Sequence, residues 1–160
     1  MTTAPDPRSL ATDTLHAAVM AGTRFSGGDT RRAAMHLLTF TDLLSRADVA
    51  PYIHLRYETD RDGLEVLVAH VDLDALAEDK GIPLTGGDER FLTLARSYAS
   101  GEPVVLGDFL NTLGHAHARR AIEAYIISLG MEGWYQVQEG PELAAHRRFE
   151  ATLLGNTTEA

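Results

Sequence analysis

Apolar residues recur along this chain with two periods, and the switches between them mark its elements. From residue 9 to about 23, Leu10, Leu15, Ala18, Val19 and Gly22 fall on one helical stripe. Ser26-Gly27-Gly28 interrupts it, and Asp29 is placed to cap a second helix over about 29–46. There Ala33, Ala34, Leu37, Leu38, Thr41 and Leu44 repeat at three- and four-residue spacing, so the two segments predict an αα-hairpin. The period then drops to two. Residues 52–57 and 64–71 are rich in β-branched and aromatic side chains, and Asp60-Arg61-Asp62-Gly63 between them suits a tight reversal. Ile53, Leu55 and Tyr57 alternate with His54, Arg56 and Glu58, so the first strand is expected to bury one face. The second is more uniformly apolar and reads as the more central.

Helical spacing returns after the hairpin. A short helix over 73–80 is capped by Asp72 and stopped by Gly81 and Pro83. The next begins at Thr85-Gly86-Gly87-Asp88 and presents Phe91, Leu92, Leu94, Ala95, Tyr98 and Ala99, until Gly101 and Pro103 end it. Between 106 and 130 the chain predicts a short helix, a glycine-broken turn and a longer helix lined by Ala118, Ala121, Ile122, Tyr125, Ile126 and Leu129. Residues 134–138 look like a third short strand, and Pro141 sits at the first position of a last helix over 142–154. The expected fold is α+β and helix-dominated: an N-terminal αα-hairpin, one β-hairpin over about 52–71 and a C-terminal helical subdomain. Residues 1–8 and 156–160 are expected to be tails around one globular domain over 9–155.

Composition narrows the function classes. Across 160 residues, 44% hydrophobic and 23% charged side chains are ordinary for a chain that buries its own core. No apolar run reaches the roughly 18 residues of a membrane span, and the start has no basic-then-apolar leader, so a cytoplasmic, bacterial-style protein is expected. The absence of cysteine removes disulfides, thiolate nucleophiles and Cys-ligated zinc. The net charge of −9 is uneven: five Arg balance five Asp over 1–50, whereas the rest of the chain is acidic two to one. Such a surface repels phosphate backbones and disfavours a nucleic-acid partner.

Several short strings resemble known motifs and then depart from them. Gly28-Asp29-xxx-Ala33-xxx-Leu37 is similar to the inner part of a tetratricopeptide repeat, but no second copy follows about 34 residues on. The turn from Glu58 resembles the start of an EF-hand calcium loop. Its twelfth position is Ala69 where a bidentate Glu is required, and strands flank it, so a solvated turn without calcium is expected. Gly86-Gly87-Asp88-Glu89 resembles the GGDEF signature of diguanylate cyclases, with Arg90 in the last place and helix after it. The same Gly-Gly-Asp-x-Arg string begins at Gly27, so both are read as helix starts. No GxSxG elbow, P-loop or Rossmann glycine pattern occurs, so no cofactor is expected and the reading leans away from an enzyme.

Three functional readings remain. The first is a small non-enzymatic regulator or adaptor acting through protein contacts, with self-association as one form. It rests on apolar positions outside the main stripes: Met35 and Phe40 on the second helix, Ala124 and Ile127 on the 118–129 helix. The second is a DNA-binding regulator in which 106–138 resembles a winged helix-turn-helix, with His115, His117, Arg119 and Arg120 facing the duplex. Arg120 stands where that pattern needs a buried aliphatic residue. The third is a metal-binding protein or hydrolase with a His115/His117 site, completed by His146 and Asp108, which requires His-x-His on a strand or loop rather than a helix.

Overall fold

The computed structural model describes residues 4–110 and 113–155. A 3-10 turn at Pro7–Ser9 leads to α1 (Thr12–Phe25) and α2 (Gly28–Leu38). Two more 3-10 turns, Leu43–Ser45 and Ala50–Tyr52, precede strands β1 (Ile53–Thr59) and β2 (Glu65–Val71). Then follow α3 (Leu73–Glu78), α4 (Gly86–Ser100), α5 (Leu106–Leu110), α6 (His115–Ser128) and α7 (Pro141–Gly155). The fold is helix-dominated α+β, and its sheet among the described residues is the antiparallel β1–β2 pair.

Local chemistry accounts for most element ends. The Asp72 carboxylate accepts the Ala75 amide at 3.1 Å, and the Thr85 hydroxyl accepts the Asp88 amide at 3.2 Å, which starts α3 and α4. Asp60 shapes the hairpin turn by accepting the amides of Asp62 and Leu64, both at 2.9 Å. The second helix ends at Leu38, well before the expected residue 46. Thr39 donates its hydroxyl to the carbonyls of Met35 and His36, and Thr41 donates to that of Leu38, so side chains take the acceptors that further helix would use. Leu43 and Leu44 still reach the core, from a 3-10 turn. Asp29 lies in the first turn of α2 rather than at its cap, which is Gly27 in the left-handed region at φ 93°.

The layers stack in one direction: the hairpin on α1, α1 on α2, and α2 between α4 and α6. Register pairs Ile53 with Val71, Leu55 with Ala69 and Tyr57 with Leu67, placing these side chains on one face. That face is buried at Ile53 and Val71 and opens toward the turn, where Tyr57 is exposed. The central helix is apolar on several sides: Ala33, Ala34, Met35, Leu37 and Leu38 are all at most 1% exposed. Phe91, Leu92, Leu94 and Ala95 from α4 and Ala121 and Ala124 from α6 close over it. The expected strand at 134–138 does not form. Trp134 and Tyr135 instead send their amides back to the carbonyl of Met131 in a turn.

Candidate functional site

The long helix α6 has two apolar faces, and the structure buries the less conspicuous one. At 100° per residue, His117, Ala121, Ala124 and Ile127 share a side, and this side lies on α2. Ala121 and Ala124 are 3% and 0% exposed, and Ile127 packs partly against the same core. Small side chains let two helix backbones approach closely, and larger residues would hold them apart. A second side, about 120° round the helix, carries Ala118, Ile122, Tyr125 and Leu129, and the last three are 46%, 54% and 52% exposed. These were among the residues expected to line the core, so the helix is turned by about a third of a turn from that expectation, with Ala121 buried as expected. It ends in a Schellman arrangement: Gly130, at φ 67°, donates to the Ile127 carbonyl, and Met131 donates to that of Ile126.

A polar cluster ties the inner face of α6 to the last turn of α2. His36 Nε2 lies 3.1 Å from Glu123 Oε2, and Arg119 Nε donates to Glu123 Oε1 at 2.8 Å. Arg120 Nε donates to the His36 carbonyl at 2.7 Å, and its Nη2 donates to the Thr39 hydroxyl at 3.2 Å. The Arg120 guanidinium also lies over the Phe40 ring, 5.6 Å from its centroid. Phe40, Phe91 and His117 form an aromatic trio, with His117 5.2 Å from each phenyl centroid. Burial, followed by the charge of Arg120, pushes the His36 imidazole below its ordinary 6.5, while Glu123 pulls against both. Burial likewise pushes the Glu123 carboxyl up, but hydrogen bonds from Arg119 and His36 together hold it below its usual range. Beside this cluster runs a cleft of about 280 Å³, lined by His36, Arg119, Glu123, Ile127 and Tyr135 among others. Its polar groups are largely spent on one another, so it reads as a joint between two helices.

These positions redistribute the expected site residues. Met35 and Ala124 are core residues of this chain, 1% and 0% exposed, which corrects their expected place at a partner surface: the added apolar width serves packing inside the fold. Phe40 keeps 40% exposure, with its ring held by Phe91, His117 and Arg120. Arg120 is half-buried against α2, so it does not stand free at a helix surface, and Arg119 pairs with Glu123 and Glu139. His115 is exposed at the start of α6, whereas His117 is wedged between aromatic rings. His146 pairs with Glu150 along α7, Arg147 pairs with Glu139, and the side chain of Asp108 lies outside the described residues. Among the described residues no three His, Asp or Glu side chains gather as metal ligands would. No described helix is long and apolar enough to cross a membrane.

Sequence reading missed the His36–Glu123 joint, whose partners are 87 residues apart and carry no shared motif. It could have flagged the outer face of α6, since Ala118, Ile122, Tyr125 and Leu129 follow the 4-3-4 spacing of a helix-pairing seam. No protein-family model, no curated protein and no solved structure matches the chain.

Proposed function

We propose that this is a small regulatory or adaptor protein that works through protein contacts, and that its contact surface is the outer face of α6. One observation carries the reading: Ile122, Tyr125 and Leu129 stand about half exposed in a row on a helix whose other face already makes the core. A helix with large apolar groups on the side away from its core is suited to burial on two sides. Charge favours a protein over a nucleic acid as the occupant. The chain carries −9, and the two arginines of α6 are held by Glu123, Glu139 and the end of α2. Met35 and Ala124 drop out of this surface, and Phe40 and Ile127 border the joint rather than the seam.

Hydroxyl-radical footprinting of Tyr125 tests the reading. The purified chain at high dilution is compared with the same chain in extract of the cells it comes from. Tyr125 is expected to oxidise readily when dilute and to be protected several-fold in the extract, with His54, which lies outside the seam, as the internal reference. Equal oxidation of Tyr125 in both overturns the reading.

A further inference from the structure

The geometry points to a binding site for the phosphate group of a small water-soluble molecule, set where the last turn of α1, the start of α2 and one face of the hairpin meet. Arg31, Arg56 and His70 hold the phosphate there, and Ser26 offers a hydroxyl at its edge. The site lies apart from the outer face of α6 and does not depend on that surface.

Arg31 is half-buried, and no carboxylate among the described residues pairs with it. Its Nη2 donates to the Val71 carbonyl at 2.5 Å and lies 3.3 Å from His70 Nδ1. The acids that act on it are occupied elsewhere: Asp72 caps α3 through the Ala75 amide, and Asp74 pairs with Arg96 at 3.0 Å. Arg120, similarly buried, has Glu123 at 3.7 Å. A guanidinium drawn out of water calls for an anion, and the described part of the chain supplies Arg31 with none. Gly27 helps to place it, since a Cβ there would strike the Arg31 stem. Other basic groups share the space. Register sets His54 opposite His70, and Arg56 follows His54 on the same face of β1. Among Ser26, Arg31, Arg56 and His70 opens a cavity of about 10 Å³, room for one oxygen atom, and no carboxylate lines it. Arg56 Nε is engaged by Glu58 at 2.6 Å, which leaves the terminal nitrogens of Arg56 to a ligand. Burial, followed by Arg31, His54 and Arg56, holds the His70 imidazole below 6.5 against the pull of Asp72. Two guanidiniums match a phosphate dianion in charge, and their forked N–H groups match its oxygens, whereas a carboxylate carries half that charge. The net charge of −9 repels an anionic membrane, so the phosphate belongs to a molecule in solution.

Ring signals of His70 in NMR spectra of the full chain read the site directly, with His16, which lies outside it, as the internal reference. At about pH 7 and constant ionic strength, inorganic phosphate should move the His70 signals along a saturating curve with a Kd of about 1 mM and leave His16 in place. It should also raise the pH at which His70 titrates, because a bound anion favours the charged ring. Arg56→Gln, at an exposed side chain, should weaken binding about tenfold. Arg61→Gln removes the same charge at the hairpin turn and should leave affinity within about twofold of wild type. Glu58→Gln frees Arg56 and should tighten binding, and acetate should bind more weakly than phosphate. A His70 shift that does not saturate, or that His16 shares, overturns the inference. Equal weakening in Arg56→Gln and Arg61→Gln marks a general effect of charge and overturns it too, as does affinity that fails to rise in Glu58→Gln. Acetate bound as tightly as phosphate overturns phosphate as the ligand. Sedimentation of the chain with vesicles of phosphatidic acid and phosphatidylcholine, unrelieved by inorganic phosphate, overturns a ligand in solution.

Discussion

Arg120 reaches from α6 to the last turn of α2, where its Nε donates to the main-chain carbonyl of His36 at 2.7 Å. That carbonyl is one of the four at a helix end that lack an acceptor role within the helix, and the guanidinium also answers the negative end of the α2 dipole. The neighbouring Arg119 makes ion pairs at the surface, with its side chain 47% exposed. Exposed pairs of that kind contribute about 1 kcal/mol or less, whereas a partly buried charge-assisted hydrogen bond contributes about 1.5–3 kcal/mol. Arg120→Ala is therefore expected to lower unfolding free energy by about 2 kcal/mol, and Arg119→Ala by less than about 1 kcal/mol. Urea denaturation of the two variants checks the order. Equal losses would mean that Arg120 does not hold the α2–α6 joint.

The same joint makes stability depend on pH. His36 is held below 6.5 by burial and by Arg120, against the pull of Glu123, and His16 and His70 are also lowered, each mainly by burial. A histidine whose folded value is depressed takes up its proton more readily in the unfolded chain. Its contribution is complete above the unfolded value of 6.5 and is lost as pH falls below it. Glu123, also held low, adds a second loss below its unfolded value of 4.5. The thermal midpoint should fall between about pH 7.5 and about pH 5.5, and the fall should be shallower in His36→Gln, which keeps a donor toward Glu123 without titrating. An unchanged slope in that variant would remove His36 from the account.

Close approach between α1 and β2 gives a third test. A side chain at Gly22 would run into the carbonyl oxygen of Ala69. Helix propensity alone favours alanine over glycine by about 1 kcal/mol, but overpacking against a ladder backbone costs about 1–3 kcal/mol. Gly22→Ala should therefore be net destabilising. Gly86→Ala, at a helix start with open space around it, should be neutral or stabilising. Calorimetry on both variants separates the two terms, and a Gly22→Ala midpoint at or above wild type would show that α1 and β2 are not packed so tightly.

Elements fixed by local chemistry were legible in the sequence. The hairpin register follows the alternation of Ile53, Leu55 and Tyr57 and the Asp60 turn, and Asp72 and Thr85 start their helices through bonds made within three residues. Features whose local chemistry admits two outcomes, or whose partners lie far along the chain, were not. The early end of α2 depends on hydroxyls of Thr39 and Thr41 that could equally have pointed to solvent in a longer helix. The segment 134–138 has the composition of a strand but no partner strand among the described residues. In α6 both faces are apolar, and periodicity finds a stripe without saying which is inside. Large residues at Ile122, Tyr125 and Leu129 drew the core assignment along with Ala121; Ala121 is buried as expected, and close packing on α2 selects Ala124 beside it. The basic pair at Arg119 and Arg120 looked like a surface feature because its partners, His36, Thr39 and Glu139, lie elsewhere in the chain.

The orientation of α6 is the claim on which the contact surface depends, and one comparison tests it directly. Thermal unfolding of Ala124→Asp and Ile122→Asp is followed on the dilute chain. Ala124 is fully buried, so a carboxylate there lacks both space and solvation, and the loss should reach about 4 kcal/mol or prevent folding. Ile122 is 46% exposed, and its replacement should stay within about 0.5 kcal/mol of wild type. That order of midpoints is the predicted result. The reverse order, with Ile122→Asp unfolding the chain and Ala124→Asp tolerated, would contradict the account, because the outer face would then be the core.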